Sequence, residues 1–337
     1  MRWPSARGQK GTATVTQPDC ASCGDERAAG AAFCENCGNP LATGAGTAVG
    51  RDCPSCGAAG VVGDDGYCGN CGLLAGRPRD HVEADAGPVA AAVTDRGLRH
   101  HRNEDAMWLA TRGAEVDVVV CDGVSASFDP DVASATAAEE TGKALVTATA
   151  ELPESIAAAI VAAGATVAAL ARTGDPRRAA SNPACTIVAA CVRGTEIGYG
   201  WVGDSRGYWV PAEGDAVPLT EDDSWATHAI SLGAEPQAAW NDPKAHAITA
   251  WLGADAGSIR PRTGAFFAET PGHLVLCSDG LWNYLTEPAA FADTVRAALR
   301  ESGSLLEAGR KLVDFANAAG GSDNITVALV PLNILDS

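Results

Sequence analysis

The chain has 337 residues, of which 46% are hydrophobic and 20% are charged, and its formal net charge is −18. That length allows a large core and a second, smaller unit, and that composition excludes a disordered chain. So large an excess of carboxylates argues against nucleic acid and against an anionic membrane surface as partners. We therefore expect a globular protein with no nucleic-acid partner and no membrane partner.

We expect no secretory signal, because no apolar segment follows the opening MRWPSARGQK. The longest apolar run, residues 156–171, is rich in alanine and shorter than the ~20 residues of a membrane span. We expect this run to form a packed helix and the protein to be cytoplasmic.

Eight of the twelve cysteines lie before residue 72, as four Cys-x2-Cys pairs that are each followed by glycine. Two thiolates at this spacing can hold one cation from a tight turn, in which the glycine takes a left-handed conformation. Four such thiolates favour zinc, whereas a disulfide framework would need an oxidising compartment. The simplest pairing predicts two structural zinc sites, and an interleaved pairing stays open. The first site would use Cys20, Cys23, Cys34 and Cys37, and the second Cys53, Cys56, Cys68 and Cys71.

This cysteine pattern resembles a double zinc ribbon over residues 18–74, a module whose folding would depend on the metal. Residues 1–76 contain more Asp and Glu than Lys and Arg, a poor electrostatic footprint for nucleic acid. A protein-docking or purely structural role is favoured. Residues 75–87 mix charge, Gly and Pro without periodicity and predict a linker, in which His81 would be solvated.

From residue 88 onward the hydrophobic pattern alternates between strands and pairs of helices. Helices are predicted over residues 131–150, 154–171, 288–301 and 304–318. The strand-like runs follow one another through short turns, which favours antiparallel sheets covered by helix pairs. These runs are PVAAAVT, EVDVVVC, ACTIVAACV, EIGYGWVG, GYWVPA, HLVLCS and NITVALV.

Three of these predicted strands begin or end at an aspartate: Asp122 follows VVVC, Asp279 follows LVLCS, and Asp323 precedes NITVALV. Glu104 and Asp105 stand just before the apolar segment MWLA. Each alone is compatible with an ordinary turn. Carboxylates at several strand ends of one domain form the oxygen-ligand site that hard divalent cations need, and five of them could hold two ions.

The ordered blocks TDRGLRHHRNEDA, VVVCDG, GWVGDSRGYW, LTEDDSW, LCSDGLW and GGSDNITVALV resemble the metal-dependent type 2C serine/threonine protein phosphatases. The resemblance covers residues 88–332 and implies an α+β fold, a four-layer αββα sandwich of two antiparallel sheets flanked by helix pairs. It implies a Mg²⁺ or Mn²⁺ pair and hydrolysis of phosphoserine or phosphothreonine in proteins by a metal-bound hydroxide. Its partners would be phosphorylated proteins, with a serine/threonine kinase or its substrates as candidates for the zinc ribbons.

The resemblance also implies roles for individual residues. Asp122 would bridge two ions and the Gly123 carbonyl would bind one of them. Asp279 and Asp323 would complete the shell of the first ion, and Glu104 and Asp105 would serve the second. Asp204 matches a third-ion position of some members, and a turn aspartate is an equal alternative.

Two departures from the family pattern leave the substrate contacts open. His100 stands where members commonly carry a phosphate-binding arginine, so Arg102 or Arg99 would have to replace it. Val124 follows the Asp-Gly pair where many members have a histidine, which leaves His100, His101 or a metal-bound water as general acid. The alternative function is a catalytically silent scaffold that binds phosphoproteins or kinases.

Overall fold

The computed structural model describes residues 51–53, 56–63, 66–73 and 75–333. The chain divides into two compact units, residues 1–75 and residues 76–337. The first predicted zinc site, with Cys20, Cys23, Cys34 and Cys37, lies outside the described residues.

Two antiparallel sheets form the centre of the larger unit. The six-stranded sheet has the order β1 (His81–Asp85), β2 (Ala91–Asp95), β13 (Ile325–Leu332), β12 (Gly272–Cys277), β8 (Arg206–Pro211) and β9 (Val217–Pro218). The five-stranded sheet has the order β11 (Arg262–Phe267), β7 (Glu196–Val202), β6 (Ile187–Arg193), β4 (Glu115–Cys121) and β3 (Ala106–Arg112). A short ladder joins β10 (Leu252–Gly253) to β5 (Ala184–Cys185).

The continuous apolar runs in the sequence reflect strands that are buried on both faces. In β4, Val118 and Val120 pack between the two sheets, whereas Val119 and Cys121 face the helices outside. Strand β12 repeats the alternation, with Leu274 and Leu276 between the sheets. Side chains that alternate along a strand thus supply two different cores from one segment.

Helix pairs cover the two outer faces of the sandwich. Helices α1 (Pro130–Val146) and α2 (Leu152–Ala169) pack on the five-stranded sheet, and 3-10 turns occur at Pro78–Asp80 and Leu170–Arg172. Short helices follow at α3 (Arg177–Ala180), α4 (Trp225–Ser231), α5 (Pro236–Trp240) and α6 (Asp279–Trp282). Helices α7 (Pro288–Arg300) and α8 (Leu305–Ala319) pack on the six-stranded sheet. The predicted four-layer sandwich is confirmed.

Helix α2 and the turn after it are long and apolar enough to cross a membrane. Ile156, Ile160 and Val167 are instead buried against the five-stranded sheet and α1. A Cβ on Gly164 would come within 2.2 Å of Ile259 Cδ1, so this face of the helix is closely packed. The segment behaves as a core helix within this fold.

The segment predicted as a linker, residues 75–87, contains a 3-10 turn and the edge strand β1. Its sequence HVEAD is polar because only one side of this edge strand meets the core, and polarity hides the strand pattern. His81 is not simply solvated, because its ring nitrogens lie 2.7 Å from Asp95 Oδ2 and 2.9 Å from Glu83 Oε1.

Candidate active site

The strand-end carboxylates come together at one edge of the sandwich because of the antiparallel register. Ala106 pairs with Cys121, so Asp105 before β3 lies beside Asp122 after β4. In the other sheet Cys277 pairs with Val327, which brings Asp279 after β12 to Asp323 before β13.

Asp204 belongs to the same edge, in the turn where the chain passes from β7 in one sheet to β8 in the other. Trp282 Nε1 donates a hydrogen bond to the Asp204 carbonyl oxygen at 2.9 Å. The charge of Asp204 acts on Asp122, as do the charges of Asp105, Asp279 and Asp323. Asp204 therefore shares the electrostatic environment of the predicted ligands.

Burial and mutual repulsion raise the pKa values of these carboxyl groups. Burial is the largest cause for each, and the neighbouring carboxylates add to it. The pKa rises to about 7 for Asp105, about 8 for Asp204 and about 6 for Asp279, and that of Asp122 lies well above its usual value. A buried group of like charges is favourable only when a proton or a cation offsets it.

The donor set fits a hard divalent cation. Asp105 Oδ1 and Asp279 Oδ1 are buried and have no hydrogen-bond partner within the described part of the chain. Buried polar oxygens are nearly always satisfied, so two at one carboxylate cluster point to a ligand. Carboxylate oxygens are what Mg²⁺ and Mn²⁺ bind.

A buried chain of hydroxyl groups holds the other oxygen of Asp105. Asp105 Oδ2 accepts hydrogen bonds from Ser278 Oγ at 2.8 Å and from Thr326 Oγ1 at 2.7 Å. Since Thr326 donates to Asp105, its hydroxyl accepts from Thr94 Oγ1, which in turn accepts from Asn103 Nδ2. This chain fixes the carboxylate so that Oδ1 remains available to a cation.

Sequence reasoning missed these residues. Ser278 and Thr326 are polar positions inside the apolar runs LVLCS and NITVALV, and that interruption was the only signal. Asn324 connects two segments of the site, because its Oδ1 accepts a hydrogen bond from the Glu104 backbone nitrogen at 2.7 Å. Its Nδ2 donates to the carbonyl oxygens of Arg96 and Arg102.

Two glycines permit backbone contacts that no side chain would allow. A Cβ on Gly123 would lie 2.7 Å from the carbonyl oxygens of Glu104 and Pro130. A Cβ on Gly280 would lie 1.9 Å from the carbonyl oxygen of Asn324. Both therefore set how closely the carboxylate-bearing segments approach one another.

Glu104 and Arg102 pair with each other. Glu104 Oε1 lies 3.0 Å from Arg102 Nε, and its Oε2 accepts from Ser125 Oγ at 2.6 Å. The Arg102 guanidinium also lies 3.1 Å from Asp131 Oδ1. The charge of Arg102 is thus already compensated by two carboxylates.

The remaining predicted substrate residues lie around a cavity of about 500 Å³. His100 Nε2 is 3.1 Å from Asp323 Oδ1. Among the described residues, the exposed Arg99 side chain has no ion-pair partner, and only its backbone nitrogen is held, by the Gly321 carbonyl. The cavity is lined by Arg77, Arg99, His100, His101, Arg102, Glu104 and Ser125.

The second predicted zinc site forms in the smaller unit. The sulfur atoms of Cys53, Cys56, Cys68 and Cys71 all lie within 4.8 Å of one another. Asn70 donates to Cys56 Sγ and to Cys68 Sγ, and the bond from Asn70 is the main reason that the pKa of Cys56 falls to about 6. Four converging sulfurs, of which Cys56 and Cys68 have lowered thiol pKa values, fit a tetrahedral zinc site.

Comparisons with known proteins match both parts of the chain. A family model described as Protein phosphatase 2C matches residues 97–315, and one described as Double zinc ribbon matches residues 20–72. The serine/threonine phosphatase stp of Listeria innocua is 30% identical over 251 residues, covering 72% of this chain and 95% of that protein.

Solved structures share the fold of the larger unit. The S. agalactiae serine/threonine phosphatase has a TM-score of 0.62 at 26% identity, covering 75% of this chain and 100% of that one. The catalytic domain of the phosphatase PstP, solved with two manganese ions, has a TM-score of 0.58 at 24% identity and covers 73% and 99%. This chain therefore belongs to the protein phosphatase 2C family and is a metal-dependent serine/threonine phosphatase with N-terminal zinc-binding cysteines.

Proposed function

We propose that this phosphatase hydrolyses phosphoserine and phosphothreonine in cytoplasmic proteins with a hydroxide held between two Mg²⁺ or Mn²⁺ ions. When bound, the ions would neutralise the phosphate dianion and lower the pKa of the attacking water. The observation that carries the proposal is the buried carboxylate cluster with its unpartnered oxygens on Asp105 and Asp279. We take residues 88–332 as the phosphatase domain, preceded by a ribbon over 18–74 and a connection over 75–87.

The cluster supports different metal-binding roles for the individual carboxylates. The charges of Asp105, Asp204, Asp279 and Asp323 all act on Asp122, which supports a role for it between the ions. We assign it the bridge between the ions, with the Gly123 carbonyl beside it, and Asp279 and Asp323 to one ion. Asp105 would serve the other, with Glu104 acting through water since its oxygens already bind Arg102 and Ser125. We assign Asp204 to a third ion.

Arg99 is the better candidate for the substrate phosphate. A guanidinium that already faces two carboxylates, as Arg102 does, has little net charge to offer a dianion. Arg99→Ala should raise the KM for phosphopeptides about ten-fold with a smaller change in kcat. Arg102→Ala should instead lower kcat, because it frees Glu104 and Asp131. His100, against Asp323, and the exposed His101 are the candidate general acids.

The deciding experiment measures phosphate release from a phosphothreonine peptide with and without Mn²⁺. Wild type should turn over only with the metal, and Asp279→Asn should lose more than the roughly 100-fold that outer-shell substitutions cost. Asp293→Asn, at an exposed carboxylate of the outer helix α7, is the matched control and should keep full activity. If wild type hydrolyses neither the peptide nor p-nitrophenyl phosphate, the protein is instead the catalytically silent scaffold for phosphoproteins or kinases.

We propose that the zinc ribbon recruits protein substrates or an opposing kinase. The described half of the ribbon buries only Cys53, Val62 and Cys68 as its core, so its fold depends on the metal. Cys71→Ser in the full chain should keep peptide turnover and lose processing of a native phosphoprotein. Equal processing of that phosphoprotein by wild type and variant would leave the ribbon a structural role only.

A further inference from the structure

The loop that follows Asp122-Gly123 separates two cavities of opposite character. On one side Ser125 faces the cationic cavity that also contains Arg99 and Arg102. On the other side lies a second cavity of about 300 Å³ whose lining combines apolar and polar residues. Val124, Ala126, Ala184, Ile248 and Trp251 form its apolar part, and Ser127, Ser181, Asn182 and Asp255 its polar part.

The walls of this second cavity are fixed by hydrogen bonds. Val124 donates its backbone N–H to the Ala184 carbonyl at 2.9 Å, and Ala184 donates its own to Ser127 Oγ at 3.3 Å. On the far wall, Trp251 Nε1 donates to Asp255 Oδ1 at 2.9 Å, which holds the indole ring in place. A cavity so constrained is preformed and needs little ordering to accept a ligand.

The far wall is also anchored to the near wall through the sheet. Strand β10, directly after Trp251, pairs with β5, in which Ala184 opposes Gly253 and Cys185 opposes Leu252. Both walls therefore keep their spacing relative to the Asp122-Gly123 edge, since Cys185 also forms a bridge with Gly123.

We infer that this cavity binds an aliphatic side chain of the substrate polypeptide, one or two residues from the phosphorylated residue. The inference rests on the proposed function, which puts the phosphate at the Asp122-Gly123 edge. Val124 directly follows Gly123, and consecutive Cα atoms are about 3.8 Å apart. An extended peptide advances about 3.3 Å per residue, so a neighbouring side chain reaches the cavity while the phosphate stays at the carboxylate edge.

Charge and polarity select the class of side chain. Val124, Ala126, Ile248 and Trp251 present carbon surface, which favours leucine, isoleucine or valine. Asp255 at the rim disfavours an acidic neighbour, because two carboxylates repel one another. The two cavities, on opposite sides of one loop, would together bind a phosphate and an adjacent aliphatic side chain.

The test compares kcat/KM for phosphothreonine peptides that carry leucine or alanine before or after the phosphothreonine, with Mn²⁺ present. Wild type should prefer leucine about ten-fold in one of the two series, as expected for a few methylene groups in an apolar pocket. Trp251→Ala and the isosteric Val124→Thr should both reduce that preference to less than about three-fold. Trp240→Ala, at an exposed tryptophan outside this cavity, is the matched control and should keep the preference.

Turnover of p-nitrophenyl phosphate distinguishes a failure of the proposed function from a failure of this inference alone. Wild type without metal-dependent turnover of either this small substrate or the phosphothreonine peptides would overturn the proposed function and this inference with it. Turnover without a leucine preference in either series would overturn this inference alone, as would a preference that survives in both Trp251→Ala and Val124→Thr.

Discussion

The hydroxyl chain behind Asp105 should control the affinity of the metal site, and Thr326→Val tests this. The substitution keeps the shape of the side chain and removes the hydroxyl that donates to Asp105 Oδ2 at 2.7 Å. It also leaves the buried Thr94 hydroxyl without its acceptor, whereas Ser278 still donates to Asp105. The variant therefore loosens one ligand without removing it.

The size of the effect follows from the chemistry of the lost bond. A hydrogen bond to an ionised group contributes about 1.5–3 kcal/mol, and 2 kcal/mol corresponds to roughly 30-fold in an equilibrium constant. Substitution of residues that orient metal ligands costs about 10–100-fold in affinity, which brackets this figure. We expect Mn²⁺ to bind Thr326→Val about 30-fold more weakly than wild type.

Titration calorimetry with Mn²⁺ measures this affinity directly, and the metal dependence of aryl phosphate turnover gives a second reading. Thr326→Ser keeps the donor and should bind within about three-fold of wild type. Thr141→Val controls for burial, because Thr141 is fully buried in α1 and its hydroxyl has no partner among the described residues. Wild-type affinity in a folded Thr326→Val protein would refute the orientation of Asp105 through this chain.

Three further predictions concern close packing, pH and zinc. Gly280→Ala should abolish activity and lower the melting temperature, because its Cβ would lie 1.9 Å from the Asn324 carbonyl oxygen; circular dichroism and peptide turnover check this. Burial lowers the pKa of His81, but hydrogen bonds to Glu83 and Asp95 outweigh it and raise the pKa overall. The stability that His81 adds is therefore fully present below its unfolded pKa of about 6.5 and is lost as pH rises through the folded value. Urea unfolding at pH 6 and pH 9 should show the difference between wild type and His81→Gln shrinking at the higher pH, and a constant difference would contradict it. Elemental analysis should find two zinc ions per chain, and a thiol-selective chelator should make residues 1–75 sensitive to protease while the phosphatase domain stays resistant.

Much of the fold could be predicted because its strands are buried on both faces. The runs at residues 118–121 and 327–330 are apolar throughout, and such runs have few alternatives to a central strand. The helix pairs were predicted to within a few residues, except that α1 ends at Val146, four residues before the predicted end. The edge strands of both sheets, β1, β3, β9 and β11, were missed, because half-exposed residues such as those of RTGAFF do not show the pattern.

In the candidate site too, the sequence pattern predicts some residues and not others. Aspartates at strand ends interrupt an apolar run, so Asp122 and Asp279 were visible in the sequence. The hydroxyls of Ser278 and Thr326 act across 173 and 221 positions of the chain on Asp105, and only the antiparallel register brings them there. A serine or threonine in a strand is otherwise unremarkable, so its partner must be known before its role can be assigned.

The predicted metal sites are of two kinds, which differ in what the metal does for the fold. Around the carboxylates, hydrogen bonds hold the backbone, for example from Thr186 N–H to the Asp122 carbonyl and from Ser278 N–H to the Thr326 carbonyl. A cation there completes a preformed site, so its loss should stop turnover and leave the sandwich folded. In the described half of the ribbon, the cysteines themselves are most of the buried core, so its metal is part of the structure. Because soft thiolates and hard carboxylates bind different cations, we expect removal of Mn²⁺ to stop turnover without unfolding the zinc-dependent module.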